Sequence, residues 1–206
     1  MTSYAARMGA ALTALAAALV LSSCTDQAAT ATHDGHTDHQ HGAESTAAPD
    51  AGHNSDDISF ATMMIPHHEQ AVELSALAPD RTTDPELLAL AAAISHAQQP
   101  EIDTMKGFLT HWGVEPATGA DGHDGHGMAM QGMVDDATMA RLESLRGAEF
   151  DTLWLESMIS HHQGAVEMAK AEIANGENAD AIALAHAIVG AQEAEIGQMK
   201  QMLSGG

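Results

Sequence analysis

An internal duplication constrains the fold of this chain more than any other feature of its sequence. Residues 63–74, MMIPHHEQAVEL, align with residues 157–168, SMISHHQGAVEM, so that His161 follows His67 by 94 residues. Residues 90–109 find their counterpart at the same offset, without a gap. An offset that two separate stretches share is hard to obtain by chance. The sequence therefore indicates two copies of one structural unit.

The first copy has the pattern of a helical hairpin. Acidic and hydroxyl residues at positions 55–57 can cap a helix, which we expect to end before Pro79. Asp84 then precedes a proline at the first position of a second helix, because proline has no N–H to lose there. We expect this second helix to stop at Gly113.

The second copy repeats this pattern after a short helical stretch at 135–146, from which Gly147 separates it. Its first long helix should end at Asn175-Gly176 with a left-handed stop, and a final helix should fill residues 178–203. Two hairpins that are each apolar on one face bury those faces against each other. We therefore predict an all-α fold: a four-helix bundle of two duplicated helical hairpins, with a short extra helix before the third long helix.

The first residues look like a bacterial lipoprotein signal. An apolar stretch, too short to span a membrane comfortably, runs into LSSC at residues 21–24, which resembles a lipobox. We expect cleavage before Cys24 and lipidation of its thiol, with an ordinary secretory signal as the alternative. The protein would then be extracytoplasmic, anchored to the outer face of the bacterial cytoplasmic membrane. The predicted segments are a signal peptide (1–23), a disordered His-rich tether (24–54) and a bundle domain (55–205), which comprises hairpin one (55–113), a Met/His-rich loop (114–134) and hairpin two (135–205).

Charge and composition exclude several classes of partner. The chain has 29 acidic residues against 7 basic ones and a formal charge of -22 at pH 7. Such a surface repels nucleic acid and anionic lipid headgroups and attracts cations, so we expect no nucleic-acid partner and contact with the membrane only through the lipid. Cys24 is the single cysteine. Once it is lipidated, methionine is the only soft metal ligand left.

Each copy carries a Met-x-x-His-His string on its first helix. Residues three and four apart lie on one helical face, so the thioether and an imidazole can converge. Adjacent histidines point about 100° apart, and we therefore expect at most one of each pair to face the bundle axis. The partner helix adds a glutamate and a second methionine on one stripe. The candidate metal ligands are Met64, His67, His68, Glu101 and Met105 in the first copy, and Met158, His161, His162, Glu195 and Met199 in the second.

A second group of polar residues consists of weaker candidates. Two glutamines share the stripe of the partner helices, two glutamates can orient an imidazole, and the flexible segments are rich in histidine and methionine. Solvated low-complexity linker is the alternative reading of those segments. We expect His96, His111 and His186, which lack repeat partners, to be structural or exposed. The secondary candidates are Glu73, Gln98, Glu167, Gln192, His123, His126, Met128, Met130 and Met133, and the tether adds His33, His36, His39, His41 and His53.

The types of ligand favour copper. A methionine at helical spacing is more often core filling than a ligand, but core packing requires only apolar volume and would not retain buried histidine, glutamine and glutamate. Thioethers suit Cu(I), and imidazole suits either oxidation state of copper. A di-iron bundle carries glutamate three residues before the histidine, where this chain has methionine. We predict a copper ion, with iron or zinc as less favoured alternatives.

The two Met-x-x-His-His strings resemble the domain of unknown function 305 (DUF305) family, as do the paired Q-x-x-E-I-x-x-M-K strings and GAEFD at 147–151. The resemblance covers about residues 55–205. It implies a secreted or lipid-anchored ferritin-like helical bundle, and some members of the family are associated with periplasmic copper binding and copper tolerance. Its signature positions are the methionine and the two histidines of each copy. Pro66 is replaced by Ser160 and Gln70 by Gly164, so we expect the two sites to differ in affinity.

Taken together, the sequence predicts a lipid-anchored metal-binding protein that sequesters copper, delivers it to a copper-handling partner or confers tolerance. The alternatives are a ferritin-like redox enzyme that uses iron or copper, and a metal-free interaction module. Neither a glycine-rich phosphate loop nor a nucleophile elbow is evident, and we assign no catalytic residue.

Overall fold

The computed structural model describes residues 52–114 and 131–205, which form five α-helices and no strand. The predicted all-α fold is confirmed, including the short extra helix before the third long helix. Among the described helices none is both long and apolar enough to span a membrane. The helices are α1 (Ser55–Leu77), α2 (Pro85–His111), α3 (Asp136–Ser144), α4 (Ala148–Asn175) and α5 (Ala179–Gly205), and a 3-10 turn (Ala78–Asp80) follows α1.

Side-chain caps determine where the helices begin. The side chain of Asn54 accepts hydrogen bonds from the N–H groups of Asp56 and Asp57, and the Asp57 carboxylate accepts the N–H of Asn54 at 2.6 Å. The capping residue, Asn54, therefore lies within the predicted tether, one position before the residues that the sequence indicates as caps, and α1 begins at Ser55. His53 also lies against the domain, stacked on Trp112 with ring centroids 4.9 Å apart.

The ends of two helices show where glycine is needed. Gly113 follows α2 with φ +70°, as expected for a left-handed stop. The same prediction for Gly176 is wrong: its φ is -65°, an extended conformation. Glycine is required there for space, because a side chain would collide with that of Glu172. Asn178 caps α5 two residues later, so no left-handed residue is needed in the turn.

The two hairpins pack mainly through α1 and α4, which run antiparallel. At one end Asn54 Nδ2 donates to the carbonyl of Asn175 at 2.8 Å, and at the other Trp154 Nε1 donates to the carbonyl of Leu74 at 2.9 Å. Equivalent positions of the two copies therefore lie around a pseudo-two-fold axis. The axis passes near the middle of both helices, where the histidine pairs lie.

Two apolar clusters fill the core, one towards each end of the bundle, and both take side chains from both hairpins. The first cluster contains Phe60, Met64, Ile102, Met105, Ala165 and Ile188. The second contains Leu74, Leu87, Phe150, Trp154, Met158 and Met199, and Leu142 of α3 covers it. The chain thus contributes apolar volume at both ends of the bundle, and its middle holds polar side chains.

Candidate metal centre

All four histidines of the repeated strings are buried. His67, His68 and His162 have no exposed surface, and His161 is 1% exposed. The sequence predicts that at most one histidine of each pair faces the bundle axis; the other histidine is buried as well, against its own partner helix. The two adjacent histidine side chains point about 100° apart, and both are buried because α1 and α4 are each covered on two sides. The other hairpin covers one side, and the partner helix of the same hairpin covers the other.

His67 and His161 face each other across the pseudo-two-fold axis. Their ring centroids are 3.8 Å apart, with the ring planes 38° from parallel. Burial lowers the pKa of His67 to about 4. Burial, followed by repulsion from His67, lowers the pKa of His161 to about 2. Both imidazoles are therefore neutral at neutral pH, which is the form that can donate a lone pair to a metal ion.

The other two histidines contact their own partner helices with the same geometry in each copy. His68 Nε2 lies 2.8 Å from Glu101 Oε2, and His162 Nε2 lies 2.8 Å from Glu195 Oε2. The sequence predicts Glu101 and Glu195 as ligands. Their contacts in the structure are also those of carboxylates that can orient an imidazole.

The two glutamates that were predicted to orient an imidazole lie elsewhere. Glu73 and Glu167 are exposed on α1 and α4. Their angle from the histidines places them outside the polar layer, so the orienting position belongs to the partner helix of each hairpin.

The partners of three histidines also define which ring nitrogen is free. A carboxylate or a carbonyl oxygen can only accept, so Nε2 of His68, His162 and His67 carries the hydrogen, the last towards the carbonyl oxygen of Gln131 at 3.3 Å. In the neutral rings Nδ1 then carries the lone pair. Nδ1 of all four histidines is buried without a hydrogen-bond partner, as is Nε2 of His161.

The buried glutamines of the polar layer also have side-chain amide atoms without a hydrogen-bond partner. Gln98 and Gln192 are each 3% exposed. The side-chain nitrogen and oxygen of Gln98 have no hydrogen-bond partner, and the side-chain oxygen of Gln192 has none either. A buried polar group without a partner costs about 1–3 kcal/mol. Within residues 52–114 and 131–205, no three His, Cys, Asp or Glu side chains converge closely enough to hold one metal ion. A metal ion in this layer would therefore need other ligands besides these.

The four methionines that the sequence predicts as ligands border the polar layer. Met64, Met105, Met158 and Met199 have no exposed surface, and they belong to the apolar clusters on either side of the polar layer. Met64 lies one helical turn before the histidines of its copy, and Met105 one turn after Glu101, as in the other copy. The donors present are thus imidazole nitrogens bordered by thioethers, a set that fits copper better than magnesium, calcium or a carboxylate-bound iron pair.

One element of this centre was not predicted from the sequence: a strap formed by residues 131–134. Gln70 holds it with two hydrogen bonds of 2.8 Å, to the N–H and to the carbonyl of Val134. On the other side the strap lies directly on α4 at Gly164, where any side chain would collide with the backbone of Gln131. Gln70 and Gly164 are equivalent positions of the repeat. Their difference was the available signal. His67 contacts the strap through its ring, whereas His161 lies against Gly132 of the strap through its backbone.

Met133 is a half-buried residue of the strap itself. His96, His111 and His186 are exposed, in line with the expectation that they are structural or exposed. Other predicted residues lie outside the described part of the chain: Cys24, His33, His36, His39, His41, His123, His126, Met128 and Met130.

Comparison with known proteins gives one family throughout. The family model described as domain of unknown function (DUF305) matches residues 57–203. A DUF305 protein of Streptomyces coelicolor, described as secreted, is 36% identical with a TM-score of 0.67, over 73% of this chain and 93% of that one. A DUF305 fragment from Deinococcus radiodurans is 29% identical with a TM-score of 0.64, over 73% and 97%.

The protein CopM in its Cu(II)-bound form is 36% identical with a TM-score of 0.62, over 72% of this chain and 96% of that one. CopM structures with Cu(I) and with Ag bound are also similar. A stretch of 54 residues is 41% identical to uncharacterized protein L153 of Acanthamoeba polyphaga mimivirus. That match covers 26% of this chain and 36% of the viral protein, so the chain spans about a third of that relative's length.

Proposed function

The chain belongs to the DUF305 family, and we propose that it binds copper in its buried histidine layer outside the cytoplasm, where it sequesters the ion or hands it to a copper-handling partner. The observation that carries this proposal is the set of four buried Nδ1 atoms that have no protein partner. Metal coordination would satisfy these nitrogens, and a layer without a ligand would leave their cost uncompensated.

Two further observations support copper as the ion. The first is the ligand chemistry, in which neutral imidazoles are bordered by thioethers and have no thiolate nearby. The second is the similarity to CopM, whose structures contain Cu(I), Cu(II) or Ag. The duplicated His–Glu contacts give the two copies the same geometry, and the strap makes them unequal. We therefore expect two binding steps with different affinities.

The location belongs to the same proposal. The LSSC string at residues 21–24 supports lipidation of Cys24 and anchorage at the outer face of the bacterial cytoplasmic membrane. The similarity to a DUF305 protein described as secreted agrees with an extracytoplasmic location. Replacing Cys24 with alanine should release the protein from the membrane fraction without changing its affinity for copper. A variant that stays in the membrane fraction would refute the anchor.

The test of the metal site is an anaerobic competition between the purified protein and a chromophoric Cu(I) chelator. We expect a variant with alanine at all four histidine positions to lose competition with the chelator. Glu101→Gln keeps the volume of the side chain and should weaken binding by about 10–100-fold, as is typical when a residue that orients a metal ligand is changed. Circular dichroism should show that both variants are folded.

The matched control is the double variant His96→Ala/His186→Ala, which removes two exposed histidines and should bind as the unmodified protein does. Unchanged Cu(I) affinity in the folded four-histidine variant would refute the site and favour the metal-free interaction module. Turnover of oxygen or peroxide by the copper-loaded protein would instead favour the redox enzyme.

A further inference from the structure

A cleft of about 340 Å³ opens on the surface between α1 and α4, outside the histidine layer. Two methionines line it, one from each helix: Met63 and Met168. Neither belongs to the ligand set discussed above, and neither is a ligand candidate of the repeated strings, because Met63 corresponds to Ser157 and Met168 to Leu74.

Both methionines of the cleft retain exposed surface. Met63 is 40% exposed and is the only exposed large apolar side chain within residues 52–114 and 131–205. Met168 is half-buried at the edge of the first apolar cluster. A large apolar side chain at an exposed site on a monomeric domain loses the burial that would otherwise favour it. A thioether facing a cleft retains one chemical property there, its affinity for soft cations.

The duplication supplies an internal comparison for this cleft. On the far side of the pseudo-two-fold axis, the equivalent positions form part of the second apolar cluster, and α3 closes them off from solvent through Leu142. In the repeat, Met168 corresponds to Leu74, Glu172 to Ala78, Asp56 to Phe150 and Met63 to Ser157. Leu74, Ala78 and Phe150 have no exposed surface. One copy of the surface is thus closed and apolar, and the other is open and lined with thioethers and carboxylates.

Carboxylates surround the two methionines. Asp56 and Glu167 are exposed at the cleft, where they raise the local concentration of cations. Glu172 also lines the cleft but is 1% exposed, and it lies beside the carboxyl of Asp57. The negative charge that faces solvent at the cleft therefore comes from Asp56 and Glu167.

The cleft shares a wall with the histidine layer. Gln131 of the strap lines the cleft, and its carbonyl oxygen lies 3.3 Å from Nε2 of His67. Gln131 is therefore a residue that the cleft and the histidine layer share.

We propose that the cleft is a second, surface binding site for a soft monovalent cation of the Cu(I) class, with the thioethers of Met63 and Met168 as ligands. In taking copper as the ion, the inference rests on the proposed function. The site itself is separate from the histidine layer. The cleft would receive the ion from solvent, and the histidines would hold it after it passes the strap.

The experiment is a titration with Ag⁺, a diamagnetic cation of the same class, of protein whose methionine methyl groups carry ¹³C. Single Met→Leu variants assign the signals of Met63 and Met168. We expect both signals to shift together and to saturate, and to do so also in a folded variant with glutamine at positions 67, 68, 161 and 162. The double variant Met63→Leu/Met168→Leu should bind one Ag⁺ fewer per chain and should fill the histidine layer more slowly.

Met202 provides the control methionine. It lines another surface cleft, of about 560 Å³, together with Asp84 and Glu86 but with no second methionine. Its signal should not saturate with those of the cleft, and Met202→Leu should leave the number of bound ions unchanged. Signals of Met63 and Met168 that do not shift, or that shift no more than that of Met202, would overturn the surface site. Failure of the histidine layer would appear separately, as unchanged Cu(I) competition in the four-histidine variant.

Discussion

Because the strap lies so close to α4, we predict that replacing Gly164 with alanine lowers the stability of the fold, whereas this substitution in a helix usually raises it. Replacing a glycine in an exposed helix with alanine normally stabilises the helix by about 1 kcal/mol. At Gly164 the added methyl group would collide with the backbone of Gln131, so the strap must leave α4. Its departure breaks the two hydrogen bonds between Gln70 and Val134 and the contact with His67, each worth about 0.5–1.5 kcal/mol. The expected net result is a loss of about 0.5–3.5 kcal/mol.

The assay is urea unfolding followed by circular dichroism at constant pH, with the free energy of unfolding taken from the midpoint and slope. Gly107→Ala is the matched control, because Gly107 is helical and exposed and a side chain there meets nothing within 4 Å. The control should gain stability, and Gly164→Ala should lose it. Hydrogen exchange at the Val134 N–H should accelerate in Gly164→Ala only. If both variants gained stability equally, the strap would not lie on α4 and the explanation of the Gln70/Gly164 difference would be wrong.

Two more predictions concern the ends of the bundle. Burial and the neighbouring Asp57 carboxyl raise the pKa of Glu172 to about 8, so the folded state holds a proton that the unfolded state has lost; stability should therefore fall as pH rises from the ordinary value of 4.5 through 8. Between pH 7 and 9, urea unfolding should show this fall in stability in the unmodified protein, and Glu172→Gln should remove it. Trp154→Phe removes the donor to the Leu74 carbonyl and leaves a cavity, and should cost about 2–3 kcal/mol in thermal or urea unfolding, with Trp112 as the remaining fluorophore. A loss below that of a typical surface substitution, about 0.5 kcal/mol, would show that this contact does not hold α1 to α4.

The fold was predictable because the duplication and the helical patterns agree with each other. Proline at the first position of α2 and glycine after its end leave few alternatives for that helix. The conformation of Gly176 was not predictable, because its requirement comes from the side chain of Glu172, a contact within the folded turn. Asn54 was missed as a cap because it follows a polar tract that resembles a linker.

The site was predictable in its residue types and less so in their roles. The repeated histidines, glutamines and glutamates do lie together in one polar layer between the apolar clusters. The spacing of residues along one helix indicates which of them share a face, but it does not show how many sides of that helix are covered by neighbouring helices. This is why both histidines of each pair are buried, and why Glu101 and Glu195 take the orienting position expected of Glu73 and Glu167.

The strap also bears on how such a chain could arise. Two identical hairpins could pair through their first helices as a symmetric dimer, because that contact is equivalent on both sides. A symmetric dimer must carry the same residue at both equivalent positions, whereas the strap needs glutamine to hold it on one side and glycine to seat it on the other. Joining the copies in one polypeptide removes that restriction. Fusion therefore does more than save the entropy of association: it lets the two copies differ at the equivalent positions on which the strap lies.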